Sequence, residues 1–368
     1  MAHAGAAVVL VARDGEAAKV VDAALRAHGT IDALVHSAGA FENGMADTGL
    51  EALDRLATNR LVMIYGALYG GNRGGRPIGH RGSGGAGSVS EWTLSRGYDS
   101  NLGEVRWERL GDPGAEPLVL LHGTPFSSFI WRDIARAMAI SRSVYVFDMP
   151  GYGSSAMSPG QELSLDALAG VFAELLRHWE LTRPDVIAHD SGGAIALGAH
   201  LDRGVPYKRL ALVDAVSLPP WGSEFFALVA EHAEVFRRLP GPLHRALLRE
   251  YVATASSPGL RPDVMDALTA PWLGADGQPA FYRQLTTRRA DQSYTDRIQD
   301  GYATINLPVL VCWGADDTWV PADRGRELAA LIPGAELHII DTAGHLLPED
   351  RPAELTAALL DFLEEDAA

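Results

Sequence analysis

The sequence predicts an α/β fold, a mostly parallel β-sheet covered by helices on both faces. Three observations lead there. From about residue 91 onward, short apolar runs end in glycine or polar signals: PLVLLHG, SVYVFDMP, PDVIAHD, RLALVDA, PVLVCWG and AELHIID. Helical patterns such as SLDALAGVFAELLRHWE and ADRGRELAALI lie between most of them. Runs apolar on both faces and separated by helices belong to a sheet buried on both sides. Finally, the polar residues of chemical interest follow the carboxyl ends of these runs, where such sheets place their ligands.

Composition narrows the function. A chain of 368 residues is long for one domain and short for three, which predicts a main domain plus an extra segment. With 47% hydrophobic and 21% charged residues there is ample material for a core. The formal net charge of −16 and the lack of a dense basic patch argue against nucleic acid or an anionic membrane surface as partner. A single cysteine, Cys312, excludes an intrachain disulfide and a cysteine-rich metal site. No apolar run approaches the roughly 20 residues of a membrane span. AAVVLVA near the start is short for a secretory signal and is followed at once by Arg13 and Asp14, so the cytoplasm is the expected location.

Residues 1–64 alternate strand-like and helix-like runs: AAVVLVA, EAAKVVDAALRAHG, IDALVHSAG and the helical LEALDRLATNRLVMIYGAL. In GTIDALVHSAG, with Ser37, Ala38 and Gly39 in register and Asn59 further on, this piece resembles the middle of a short-chain dehydrogenase. The Gly-rich dinucleotide turn and the Tyr-x-x-x-Lys pair of that family are missing. Without the turn no helix N-terminus is set up to hold a pyrophosphate, so no cofactor is expected. Residues 65–90, including YGGNRGGRPIGHRGSGGAGS, read as a flexible Gly-rich linker, because no strand-to-helix context frames their glycines as a phosphate loop. The main domain is expected over 91–368.

Within it, the first strand ends at Leu121 and His122-Gly123-Thr124-Pro125 turns sharply, a geometry that can aim the Thr124 amide into a site as an oxyanion donor. The stretch VIAHDSGGAIAL offers two nucleophiles, Asp190 and Ser191. A nucleophile elbow requires small residues two before and two after the attacking residue. For Asp190 these are Ala188 and Gly192; for Ser191 they are His189 and Gly193, and histidine fits the cramped position badly. The spacing favours Asp190 and makes the Ser191 amide the second oxyanion donor. An aspartate here is also a good helix N-cap, which is the bland alternative. His189 is expected to pack or hydrogen-bond behind the turn.

The loop DTAGHLLPEDRP after the last strand presents His345, the position of a base in the chain order nucleophile, acid, histidine. CWGADDTWVP puts Asp317 on the facing loop, suited to hold the imidazole tautomer, and Asp214 at the end of RLALVDA is the alternative acid.

The blocks HGTPFSSFIWR, DMPGYGSS, AHDSGG, WGADDTWVP and GHLLPED resemble the α/β-hydrolase fold over residues 91–368. They are most similar to its epoxide hydrolase and haloalkane or haloacid dehalogenase branch, which uses an aspartate nucleophile. The resemblance implies a small apolar substrate with an electrophilic carbon, no metal, and a helical lid inserted after Asp214, at about 217–304. An ionised aspartate forms an alkyl-enzyme ester directly, and water activated by His345 cleaves it. An epoxide needs a proton donor and a halide needs weak N–H donors. Tyr282 in GQPAFYRQL is similar to a lid tyrosine of epoxide hydrolases, and Trp221 or Trp272 could serve a halide. Epoxide hydrolysis is expected slightly ahead of dehalogenation. A serine-type esterase using Ser191 and a non-catalytic ligand-binding relative are the remaining alternatives.

Overall fold

The computed structural model describes residues 92–364 together with two short strands, Leu10–Val11 and Ile64–Tyr65. The chain divides into two compact units, Met1–Gly84 and Gly85–Ala368. In the first, the two short strands pair in parallel. Ile64–Tyr65 falls inside a run expected to be helical, since periodicity does not separate a short apolar strand from a buried helix turn. The dehydrogenase-like Ser37, Ala38, Gly39 and Asn59 and the Gly-rich stretch 66–90 lie outside the described residues.

The second unit carries an eight-stranded sheet. Its strands are β1 (Arg96–Ser100), β2 (Gly103–Leu110), β3 (Pro117–Leu121), β4 (Ser143–Phe147), β5 (Asp185–His189), β6 (Leu210–Val213), β7 (Val309–Gly314) and β8 (Glu336–Ile340). The spatial order is β8-β7-β6-β5-β3-β4-β2-β1, with every neighbour parallel except around β2, which pairs antiparallel with both β1 and β4. The six strands from β3 onward are the six apolar runs of the sequence. The β1–β2 hairpin lies outside those runs because it is exposed on one face and carries charged residues such as Arg96, Glu104 and Glu108. Every residue of β4, β5, β6 and β7 is buried, as a sheet covered on both faces requires.

Helices α1 (Arg132–Met138), α2 (Leu165–His178) and α3 (Ser191–Arg203) connect the first parallel strands. Ser164 caps α2 by accepting from the Ala167 amide, and Gly204 ends α3 in the left-handed conformation. Between β6 and β7 the chain leaves the sheet to build a lid of α4 (Glu224–Glu231), α5 (Ala233–Arg237), α6 (Gly241–Ala253), α7 (Pro262–Thr269), α8 (Gly274–Ala290) and α9 (Gln292–Gln299). After it come α10 (Ala322–Leu331), α11 (Leu347–Asp350) and α12 (Pro352–Glu364). Among the described residues no helix is long and apolar enough to cross a membrane.

Candidate active site

The carboxyl end of β5 turns into α3 at Asp190, whose φ of 50° and ψ of −124° lie where non-glycine residues are rarely found. Backbone bonds hold this turn: the Asp190 amide donates to Val213 O at 3.1 Å, and the Asp190 carbonyl accepts from Gly193 at 2.9 Å and Val216 at 3.0 Å. The glycines around it follow from lack of space. A Cβ on Gly192 would stand 2.6 Å from the His122 carbonyl oxygen, and one on Gly123 only 2.3 Å from Asp190 Cβ. The residue at the apex of the turn is therefore Asp190, and Ser191 is the first residue of the helix.

Three chain segments converge on this carboxylate. The Thr124 amide donates to Asp190 Oδ1 at 2.6 Å, and the Ser191 amide supports the same carboxylate. His345 Nε2 stands 3.3 Å from Asp190 Oδ2, in ion-pair range but off the line of a hydrogen bond. On its other side, His345 Nδ1 lies 2.9 Å from Asp317 Oδ2. Asp317 Oδ1 in turn accepts from the amides of Trp319 at 2.8 Å and Val320 at 2.9 Å, which fixes the acid loop. Asp190, His345 and Asp317 are all buried.

Burial alone would raise the Asp190 pKa, but the His345 contact, the charges of His345 and His189 and the Ser191 amide carry it below the ordinary value. For His345 burial acts downward, yet Asp317 and Asp190 together hold its pKa well above 6.5. Both shifts favour an imidazolium held between two carboxylates. Asp214 is buried at the end of β6, where its Oδ1 accepts from the Gly314 amide at 2.8 Å and its Oδ2 has no hydrogen-bond partner among the described residues. Burial and the nearby Asp317 charge push its pKa well up. The structure brings Asp317, and not Asp214, into hydrogen bonding with His345.

Burial biases the two supporting histidines toward the neutral form. His122 accepts the Met149 amide on Nε2 at 2.9 Å and donates from Nδ1 to Gly123 O at 3.0 Å, bracing the oxyanion turn. His189 donates from Nε2 to the His345 carbonyl at 2.8 Å, and burial lowers its pKa to about 4.

A partly open cavity lies above Asp190. Thr124, Asp190 and Ser191 form its polar floor, and Val216, Trp221, Phe226, Tyr251, Trp319 and Val320 are among its walls. The lid residues singled out from sequence fare differently. Tyr282 is not among the lining residues; its hydroxyl donates to His244 Nδ1 at 2.9 Å inside the lid. Trp272 is likewise set apart, with its indole N–H donating to Pro125 O at 2.6 Å. Trp221 lines the cavity, but its N–H donates to Thr295 Oγ1 at 2.9 Å. The reason is common to all three: each polar atom finds a partner within the lid or the turn beneath it.

Sequence reasoning missed Tyr251. Its ring lines the cavity, its hydroxyl is buried with no hydrogen-bond partner among the described residues, and burial followed by the Asp190 charge raises its pKa well above 10. In LLREYV it is one lid aromatic among several, and nothing local marks it as part of the cavity wall.

The model of the Alpha/beta hydrolase family matches residues 118–359. A solved alpha/beta hydrolase fold protein from Burkholderia ambifaria is 40% identical with a TM-score of 0.70, covering 73% of this chain and 98% of that one. Epoxide hydrolase A of Mycobacterium tuberculosis is 26% identical over 309 residues, covering 72% of this chain and 95% of the relative. A 2-hydroxy-6-oxononadienedioate/2-hydroxy-6-oxononatrienedioate hydrolase of Cupriavidus pinatubonensis is 28% identical over 264 residues, covering 68% and 87% respectively.

Proposed function

The chain belongs to the alpha/beta hydrolase family, and on that premise we propose that it is an aspartate-nucleophile hydrolase that opens epoxides. The observation that carries this reading is a carboxylate, not a hydroxyl, at the apex of the elbow, between the Thr124 amide and His345. The Ser191 hydroxyl instead bonds to Thr124, 3.1 Å from both its amide and its Oγ1.

The two oxygens of Asp190 divide the work. Oδ1 is held by the Thr124 amide, so Oδ2 attacks the electrophilic carbon and forms an alkyl-enzyme ester. Tyr251 gives its proton to the departing epoxide oxygen and regains one as His345 releases its own, directly or through water. Esterification removes the Asp190 charge, so His345 loses one of the two carboxylates that held its proton and becomes a base. It then deprotonates a water that attacks the ester carbonyl, and the Thr124 and Ser191 amides receive the oxyanion. A diol leaves and Asp190 is restored.

Epoxide is favoured over halide because the Tyr251 hydroxyl has no hydrogen-bond partner among the described residues, whereas the indole N–H groups of Trp221 and Trp272 are both engaged. The M. tuberculosis relative, named an epoxide hydrolase, supports the same choice. A single turnover of styrene oxide in ¹⁸O-labelled water, with mass spectrometry of the peptide spanning residue 190, tests it. One labelled oxygen in Asp190 and none in the diol is expected. Unlabelled Asp190, or an Asp190→Asn variant that retains turnover through Ser191, overturns it, and halide release from 1-bromobutane in place of epoxide opening selects the dehalogenase.

A further inference from the structure

The acid loop does more than present Asp317. Two residues beyond it, Trp319 lies with its ring centroid 4.6 Å from Tyr251 at an interplanar angle of 18°, and 5.0 Å from His345 at 28°. Phe126 continues the near-parallel arrangement, 5.9 Å from Trp319 at 14°. The Trp319 indole N–H donates to Thr254 Oγ1 at 2.9 Å, and Thr318 Oγ1 donates to the Thr254 carbonyl at 3.3 Å. Thr254 caps the C-terminus of α6, the lid helix that carries Tyr251. The backbone of Trp319 is in turn held by Asp317, whose other oxygen meets His345.

We propose that Trp319 is a positioning residue that aligns the lid tyrosine and the base histidine with one ring, so that Tyr251 and His345 are set over Asp190 together. This rests on the reading of Tyr251 as proton donor. Trp319 acts in two ways. Face-to-face contact with a tryptophan favours the imidazolium form of His345. The stack and the Thr254 bond restrict where α6 can place the Tyr251 phenol, and misplacement by about 1 Å is enough to lower a rate by about a hundredfold.

Three variants separate the parts. Trp319→Leu removes the ring, Trp319→Phe keeps a ring without the indole donor, and Thr254→Val removes only the acceptor on α6. The His345 titration is followed by NMR of ring-labelled histidines, assigned against His345→Gln. The charged or titratable groups facing His345 are Asp190, Asp317, Asp214 and His189, and none is altered by these changes. Trp319→Leu is expected to lower the His345 midpoint by about one pH unit. It is also expected to speed hydrogen exchange in residues 241–254 about tenfold and to lower kcat for styrene oxide about tenfold or more, with KM changed less than about threefold. Trp319→Phe keeps the midpoint, and Thr254→Val speeds exchange and lowers kcat without moving it.

A Trp319→Leu protein with an unchanged His345 midpoint, or one that loses thermal stability while keeping kcat per folded molecule, overturns the proposal. Should that variant not fold, unchanged exchange and kcat in Thr254→Val overturn it. Absence of epoxide opening by the unaltered protein sinks the reading of its function instead, while the NMR and exchange results still decide whether Trp319 aligns lid and base.

Discussion

The backbone amide of Thr124 donates to Asp190 Oδ1 at 2.6 Å, so one oxygen of the candidate nucleophile is seated among oxyanion donors before any substrate arrives. The other oxygen faces His345 at 3.3 Å. The carboxylate is thereby made asymmetric, and separate consequences attach to the formation and the cleavage of an ester at this residue.

On the proposed mechanism His345 is needed only for cleavage. The variant His345→Gln is expected to consume one equivalent of styrene oxide rapidly and then stall, with steady-state kcat lowered about 10³-fold or more. Mass spectrometry should find the peptide containing Asp190 heavier by one substrate. A variant that consumes no epoxide at all would show that the base also acts in the first step.

On the same mechanism Tyr251 is needed only where the leaving oxygen requires a proton. Tyr251→Phe is expected to slow ester formation from styrene oxide about 10²-fold. The buried hydroxyl has no hydrogen-bond partner to lose, so stability should change little. Stopped-flow measurement of the first turnover, with a denaturation curve alongside, checks both statements, and an unchanged first-turnover rate refutes the role.

Acid sensitivity follows from His189. Its pKa is about 4 in the folded chain against 6.5 ordinarily, so between these values the unfolded chain binds the extra proton. Stability from this group is therefore fully present above 6.5 and falls as pH drops toward 4, by about 3 kcal/mol across the window. His189→Gln can keep the donor to the His345 carbonyl while removing the titration. Urea denaturation at pH 7 and pH 4.5 should show a smaller loss for the variant; equal losses would place the acid sensitivity elsewhere.

Two of the sequence blocks are tied by a buried ion pair rather than by chemistry. Arg132 of HGTPFSSFIWR meets both carboxylate oxygens of Glu349 in GHLLPED, with Nη2 at 2.9 Å from Oε2. Arg132→Met is expected to cost about 3–5 kcal/mol by leaving Glu349 unpaired, and Arg132→Met with Glu349→Leu should recover most of it. A double-mutant cycle in urea measures this, and additive losses would contradict it.

The parts of this protein legible in sequence are those set by local backbone chemistry. Ala188 and Gly192 flank Asp190 at the spacing a tight strand-to-helix turn requires, and that spacing alone placed Asp190 at the apex. The strands from Pro117 onward announce themselves because both of their faces are apolar. The lid was different. Which of Tyr251, Tyr282, Trp221 and Trp272 looks into the cavity depends on how α6 and α8 rotate against the sheet, and helical periodicity reports burial without saying what a residue is buried against. Tyr282 satisfied its hydroxyl on His244, a partner 38 positions away that no short motif links to it. The β1–β2 hairpin escaped notice for the opposite reason, being too polar to stand out.

Asp350 accepts from the Gly344 amide at 2.7 Å on one side and from Ser256 and Ser257, just beyond α6, on the other, at 2.5 Å and 3.0 Å. The Leu346 amide adds a bond to Ala255 O at 2.9 Å. Lid and histidine loop are therefore stitched into one interchangeable module across nearly a hundred residues of chain. A chimera that borrows its lid from a relative must bring that relative's histidine loop along with it, whatever the two lids have in common.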